Sequence, residues 1–93
     1  MPRSDADPAE ISEKLRALSD PTRLRILITL GRQEIYEGAI AELLDERPSK
    51  ISYHINELWQ AGLVTRRKSG RYMFYQINTP ELSRVLNFLD LLY

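Results

Sequence analysis

Four cations, Arg66, Arg67, Lys68 and Arg71, fall within six residues around Gly70, with no acid among them. Guanidinium and ammonium groups at that density attract phosphate, and each nucleic-acid phosphate they neutralise releases condensed counterions. Just upstream, Ser49, Lys50, Ser52, Tyr53, His54 and Asn56 place hydroxyl, ammonium, phenol, imidazole and amide groups around Ile51 and Ile55. Those groups can hydrogen-bond base edges as well as phosphates. The chemistry on offer is binding rather than bond-breaking. With no cysteine and one histidine, the chain excludes disulfides, thiolate catalysis and multi-histidine metal sites. No nucleophile–base constellation is visible either, so neither an enzyme nor a cofactor is expected.

Each feature has a plainer explanation beside it. A polar helix face can simply be solvated, and a charged hairpin can be an edge that resists aggregation. Their adjacency favours a polyanion. Net charge is zero over 93 residues, but residues 47–75 hold six cations against one acid, while 1–20, 21–46 and 76–93 are each net acidic. Such asymmetry gives a neutral protein one positive face.

The elements that must position these groups follow from caps and periodicity. Residues 1–7 are polar and expected to fray. Asp7-Pro8 opens a helix over 8–18 with Ile11, Leu15 and Leu18 at helical spacing. Asp20-Pro21 caps and opens a second, carrying Leu24, Leu27, Ile28 and Leu30 to a stop at Gly31. Glu34 to Tyr36 reads as a short extended piece. Residues 39–61 form two helices around a turn at 45–47, with Ile40, Leu43 and Leu44 inward in the first. In the second, Ile51, Ile55 and Leu58 share one side, Tyr53 lies nearly opposite, and Gly62 ends it. From 63 to 77 the period becomes two, and Ser69-Gly70 signals a hairpin turn. Thr79-Pro80 starts a last helix, 80–93, whose Leu82, Val85, Leu86, Leu89 and Leu92 form one stripe beside Phe88 and Tyr93.

The expected fold is mainly α with a small β-hairpin, in the order α-α-(β)-α-α-β-β-α over a single domain, 1–93. That is a winged helix-turn-helix, in which the second helix of the motif enters the DNA major groove and the hairpin follows the backbone beside it. A lone chain of this size buries only about 60% of its unfolded surface. The terminal stripes, Ile11 and Leu15 with Leu82, Val85, Leu86, Leu89 and Leu92, are therefore expected to pair two copies. Such a homodimer would set its two recognition helices about 34 Å apart, one turn of DNA. The alternative is a last helix folded back on its own domain. No apolar run approaches a membrane span and the acidic N-terminus is no signal peptide, so a cytoplasmic protein is expected.

The run Leu15-Arg16-Ala17-Leu18-Ser19-Asp20-Pro21-Thr22-Arg23-Leu24-Arg25-Ile26-Leu27 resembles the opening signature of ArsR-type winged-helix repressors, an arsenic- and metal-responsive family. Ser52-Tyr53-His54-Ile55-Asn56-Glu57-Leu58 with Ala61-Gly62-Leu63-Val64 is similar to that family's recognition-helix segment, and Gly70-Arg71 with Tyr75 to its wing. The resemblance runs without a gap from Leu15 to Ile77. It implies a symmetric dimer built from the first and last helices, binding an operator that an inducer releases. Ser49, Lys50, Ser52, Tyr53 and His54 fall where the family contacts DNA.

One departure stands out. Founding members carry an E-L-C-V-C-D box whose thiols take arsenite or soft metals. Here the matching run is Glu34-Ile35-Tyr36-Glu37-Gly38-Ala39, so Tyr36 and Gly38 replace both thiols. The zinc- and nickel-sensing relatives use Asp and His pairs on the last helix, where this chain has Glu81 and Asp90 but no histidine. Neither established inducer chemistry is available, no metal is expected, and the inducer is unassigned. His54 has no thiol or imidazole partner and reads as a phosphate contact or a locally hydrogen-bonded residue. Tyr36, Tyr72 and Tyr75 could line a small-molecule pocket, though aromatics on short strands are usually core. Trp59 borders the buried side and is expected to pack, against the wing. The leading expectation is a homodimeric, sequence-specific DNA-binding repressor. The alternative is a winged-helix module that docks a protein with the same face, which the basic hairpin disfavours.

Overall fold

Two Asp-Pro pairs start the first two helices. In the computed structural model, which describes residues 7–92, α1 (Pro8–Leu18) is capped by the Asp7 carboxylate, which accepts from Ala9 N at 3.2 Å. Asp20 caps α2 (Pro21–Leu30) by accepting from Thr22 N at 2.9 Å and Arg23 N at 3.1 Å. These bonds satisfy amides that a helix start leaves without partners. The frayed segment expected over 1–7 lies, except for Asp7, outside the described residues, as does Tyr93.

A two-residue strand β1 (Ile35–Tyr36) leads into α3 (Glu37–Leu44), then α4 (Pro48–Gln60), β2 (Val64–Ser69), β3 (Tyr72–Ile77) and α5 (Thr79–Asp90). The expected winged helix-turn-helix order holds. Two details differ. The extended piece pairs antiparallel with β3, Ile35 opposite Tyr75, so the hairpin becomes a three-stranded sheet in the order β1-β3-β2. α3 starts at Glu37, two residues before the expected Ala39, because Tyr36 ends the strand and is already the helix N-cap.

Two tight stops bound α4. Between α3 and α4, Asp45 takes a left-handed φ of 54° while Glu46 N donates to Ala41 O and Asp45 N to Glu42 O, closing a Schellman motif. After α4, Gly62 at φ 79° does the same, with Leu63 N on Leu58 O and Gly62 N on Trp59 O. The hairpin register, Ser69 opposite Tyr72, makes Gly70-Arg71 the two-residue loop, one place later than the sequence signal. Only the first loop residue has positive φ, the pattern of a II′ turn.

The core gathers Ile11, Ile26, Leu30, Ile40, Val85 and the inner side of α4, all within 1% of full burial. Leu43, expected inward, is corrected, and two apolar residues of α2 also turn outward. On α2 the buried residues are Ile26, Leu27 and Leu30; Leu24 and Ile28 each lie about 200° around the helix from Ile26 and are exposed. On α3, Ile40 and Ala41 are buried, Leu44 is half-buried, and Leu43 falls off that side into solvent. No helix among the described residues is long and apolar enough to cross a membrane. Replacing the fully buried Ile55 by alanine should cost about 2–5 kcal/mol in urea denaturation, while Leu43→Gln should stay within about 0.5 kcal/mol. Equal costs would contradict the burial pattern.

Candidate nucleic-acid interface

The inner side of α4 is sealed. Ile51, Ile55 and Leu58 have no exposed surface, so the helix packs on the body of the domain through this side. Its outer side presents Ser49, Ser52, Tyr53 and Asn56 to solvent, with Lys50 and His54 half-buried at the margins. Lys50 Nζ lies 3.2 Å from Glu46 Oε2, a carboxylate that Arg25 also approaches at 3.5 Å. Arg25 donates as well to Leu44 O at 3.1 Å, tying α2 to the end of α3.

His54 is engaged locally. Its Nδ1 accepts from Arg23 Nε at 3.0 Å and lies 3.6 Å from Asp20 Oδ2, while its ring meets Tyr53 edge-on at 5.0 Å. Of the two roles expected for it, the structure shows the local hydrogen bond. Arg23 was not among the expected site residues, yet its guanidinium also lies 5.9 Å from the Tyr53 ring centroid. Asp20 feels opposing influences: burial raises its pKa, but the amides of Arg23 and Thr22 and the nearby His54 and Arg23 charges outweigh it and hold the carboxyl below its ordinary range.

The wing cations divide into two kinds. Arg66 lies flat over Trp59 with its guanidinium 3.5 Å from the ring centroid, joining the wing to the end of α4. The expected packing of Trp59 against the wing is thus through an arginine. Arg67 donates twice to Glu34, at 3.0 and 2.8 Å, and its guanidinium lies 4.9 Å from the Phe74 ring centroid. The hairpin cluster has no acid in sequence, but the fold brings one to it from the segment before β1. Lys68 and Arg71 are exposed, and neither has an acid partner among the described residues. Sequence spacing could not separate these pairs, because Trp59 and Glu34 reach Arg66 and Arg67 only through the fold.

The Tyr75 phenol beneath Arg66 is buried, which pushes its pKa up; Arg66 partly offsets this and Glu37 adds to it. Tyr36 packs edge-on against Tyr72 at 5.2 Å and Phe74 at 6.0 Å. A Cβ on Gly38 would stand 2.9 Å from the Tyr36 ring, so that ring lies directly on the glycine. The cleft of about 290 Å³ beside them, lined by Tyr36, Tyr72 and Arg71 among others, opens toward the wing tip.

A helix-turn-helix domain model matches residues 18–67, more than half of the chain. The transcriptional repressor SdpR of Bacillus subtilis is 35% identical over 74 residues, 80% of this chain and 82% of that protein. An arsenical resistance operon repressor of Staphylococcus xylosus is 35% identical over 83 residues, 89% of this chain and 80% of its own length. Among solved structures, an ArsR-like transcriptional regulator from Rhodococcus sp. RHA1 superposes with a TM-score of 0.82 at 34% identity, covering 90% of this chain and 79% of that one.

The chain belongs to the ArsR family of winged helix-turn-helix regulators. Within that family, the two positions where founding members carry thiols are here one aromatic ring and the glycine beneath it.

The Glu34–Arg67 pair gives a pH signature. Hydrogen bonding from Arg67 holds the Glu34 carboxyl below its ordinary value, so the pair stabilises the wing above the usual carboxylate range and that contribution is lost as pH falls through it. An NMR titration should find Glu34 titrating low in the wild type and near its ordinary value in Arg67→Ala. An unchanged midpoint would mean the pair does not form in solution.

Proposed function

We propose that this protein is a homodimeric repressor that binds duplex DNA in sequence-specific fashion, α4 reading the major groove and the wing following the backbone. It works by binding and not by turnover, in the cytoplasm where its operator lies. One observation carries this reading: α4 packs through its inner side, leaving Ser49, Ser52, Tyr53 and Asn56 in solvent beside Lys68 and Arg71, which have no acid partner among the described residues. Hydroxyl, phenol and amide groups suit base edges, and the two wing-tip cations suit phosphates. Lys50 and His54 sit at the margins, where Lys50 can exchange Glu46 for a phosphate. Arg66 and Arg67 act indirectly, the first setting the wing's angle and the second held in reserve by Glu34.

The dimer reading rests on apolar surface left over after the core is filled. Leu86 and Leu92 on and just after α5 are 60% and 70% exposed, and Leu15 on α1 is at 36%. Leu82 and Leu89 are half-buried, able to serve both their own core and a partner. Ile11 and Val85, expected at the contact, are each 1% exposed within the subunit and have no surface to offer. The helices thus fold back on their own domain through one side and keep leucines on another.

Duplex binding should weaken by roughly 10³-fold or more between about 50 and 200 mM salt if six or more phosphates are neutralised per dimer. Arg71→Ala and Lys68→Ala should each lower affinity for all sequences and flatten the salt slope, Arg67→Ala should do so less, and Tyr53→Ala should relax preference at particular base pairs. A flat salt response, or equal affinity for every duplex, would remove the DNA reading and leave the face to a protein partner.

Aspartates at the exposed Leu86 and Leu92 should give monomers in sedimentation and lower operator affinity by more than about 100-fold, since the second half-site contact is then lost. A double variant that sediments as a dimer would place the contact elsewhere.

A further inference from the structure

Lys14 is an unusual core residue. It lies on α1, is 8% exposed, and its ammonium donates to Ala61 O at 2.7 Å. Ala61 is the C-cap of α4, whose last turn carries no basic residue of its own. A helix C-terminus presents unpaired carbonyls and a partial negative charge, which a cation satisfies. Here that cation comes from another helix, 47 residues away. The same ammonium stands 3.3 Å from Glu81 Oε1 in the first turn of α5, and Glu81 meets Arg84 at 2.9 Å. Arg84 in turn reaches Glu10 on α1 at 2.9 Å. Gly62, whose positive φ closes α4, lies beside this ammonium.

A buried ammonium is costly unless its desolvation is offset by good partners. One methylene-rich side chain therefore joins the end of the reading helix to both terminal helices. We propose that Lys14 is a positioning residue: by clamping the Ala61 carbonyl against α1 and α5 it fixes the angle of α4 relative to the dimer helices, and so the spacing of the two half-sites the dimer accepts. This rests on the DNA-binding reading above.

The experiment compares wild type, Lys14→Met, which keeps the stem but loses the ammonium, and Lys14→Arg, which keeps a donor. Duplexes selected by the wild type, their variants with half-sites one base pair closer or further apart, and a random duplex are titrated, alongside melting and sedimentation. Lys14→Met should lose about tenfold in selected-over-random affinity and accept the altered spacings, with random-duplex affinity and salt slope unchanged; Lys14→Arg should restore both. A lower melting temperature with selectivity and spacing preference intact would overturn the proposal, leaving Lys14 a stabilising residue only. Should Lys14→Met not fold, Glu81→Gln, which leaves the Ala61 bond but loosens its anchor on α5, should relax the spacing preference, and an unaltered preference would again overturn it. Should the wild type itself show no preferred duplex, the DNA reading fails separately. Amide exchange in the last turn of α4 then decides: about tenfold faster in Lys14→Met supports the clamp, and an unchanged rate overturns it.

Discussion

A helix can offer one side to an outside partner only if its other side suffices to hold it. For α4 that condition is met by Ile51, Ile55 and Leu58, spaced four and three residues apart and all without exposed surface. Everything else about the reading face follows from this. Because apolar burial holds the helix, its polar groups need not be spent on the fold, and Ser49, Ser52, Tyr53 and Asn56 stay in solvent. The two Schellman stops at Asp45 and Gly62 serve the same end, closing the backbone at the turn and after α4 without recruiting those side chains.

Charge is handled with similar economy. In a neutral chain, a positive face stands out more when cations elsewhere are paired with acids. Arg84 meets Glu10 and Glu81, Arg16 meets Glu13, Arg25 meets Glu46, and Arg67 meets Glu34. Most of these pairs are exposed and add little stability individually. Their larger effect is on the field, since Lys68 and Arg71 at the tip of the wing have no acid partner among the described residues.

The element order, both Asp-Pro helix starts, the Gly62 stop and the inner stripe of α4 were legible in the sequence because each is local: a cap, a glycine or a period within a dozen residues. The errors share one cause. Leu43 read as inward, and nothing in the spacing of Leu24, Leu27, Ile28 and Leu30 told which of them would be buried, because which side of α2 or α3 turns inward depends on what packs against it. The pairing of β1 with β3 joins residues some forty apart. Among the site residues, Arg66 and Arg67 looked equivalent to Lys68 and Arg71, and only the arrival of Trp59 and Glu34 from distant segments separates them. Arg23 and Lys14 gave no signal at all. Each is a cation within a helix, and what gives it meaning is a His54 nitrogen or an Ala61 carbonyl brought near by folding.

These long-range contacts also divide the molecule's geometry into a fixed part and an adjustable one. Arg66 on Trp59 couples the wing to the end of α4, and Arg23 on His54 couples α2 to its middle. Within one subunit, the distance from the reading side chains to the wing-tip cations is therefore set by side chains packed at 3.0–3.5 Å. A signal acting on such a regulator would have little to gain by deforming that unit, whose buried core resists displacement. In the proposed dimer, the softer variable is how two such units stand relative to each other. In such a dimer that relation would run through α1 and α5, whose surfaces still carry exposed leucines and whose polar ties to α4 include Lys14 and the carboxylate beside it.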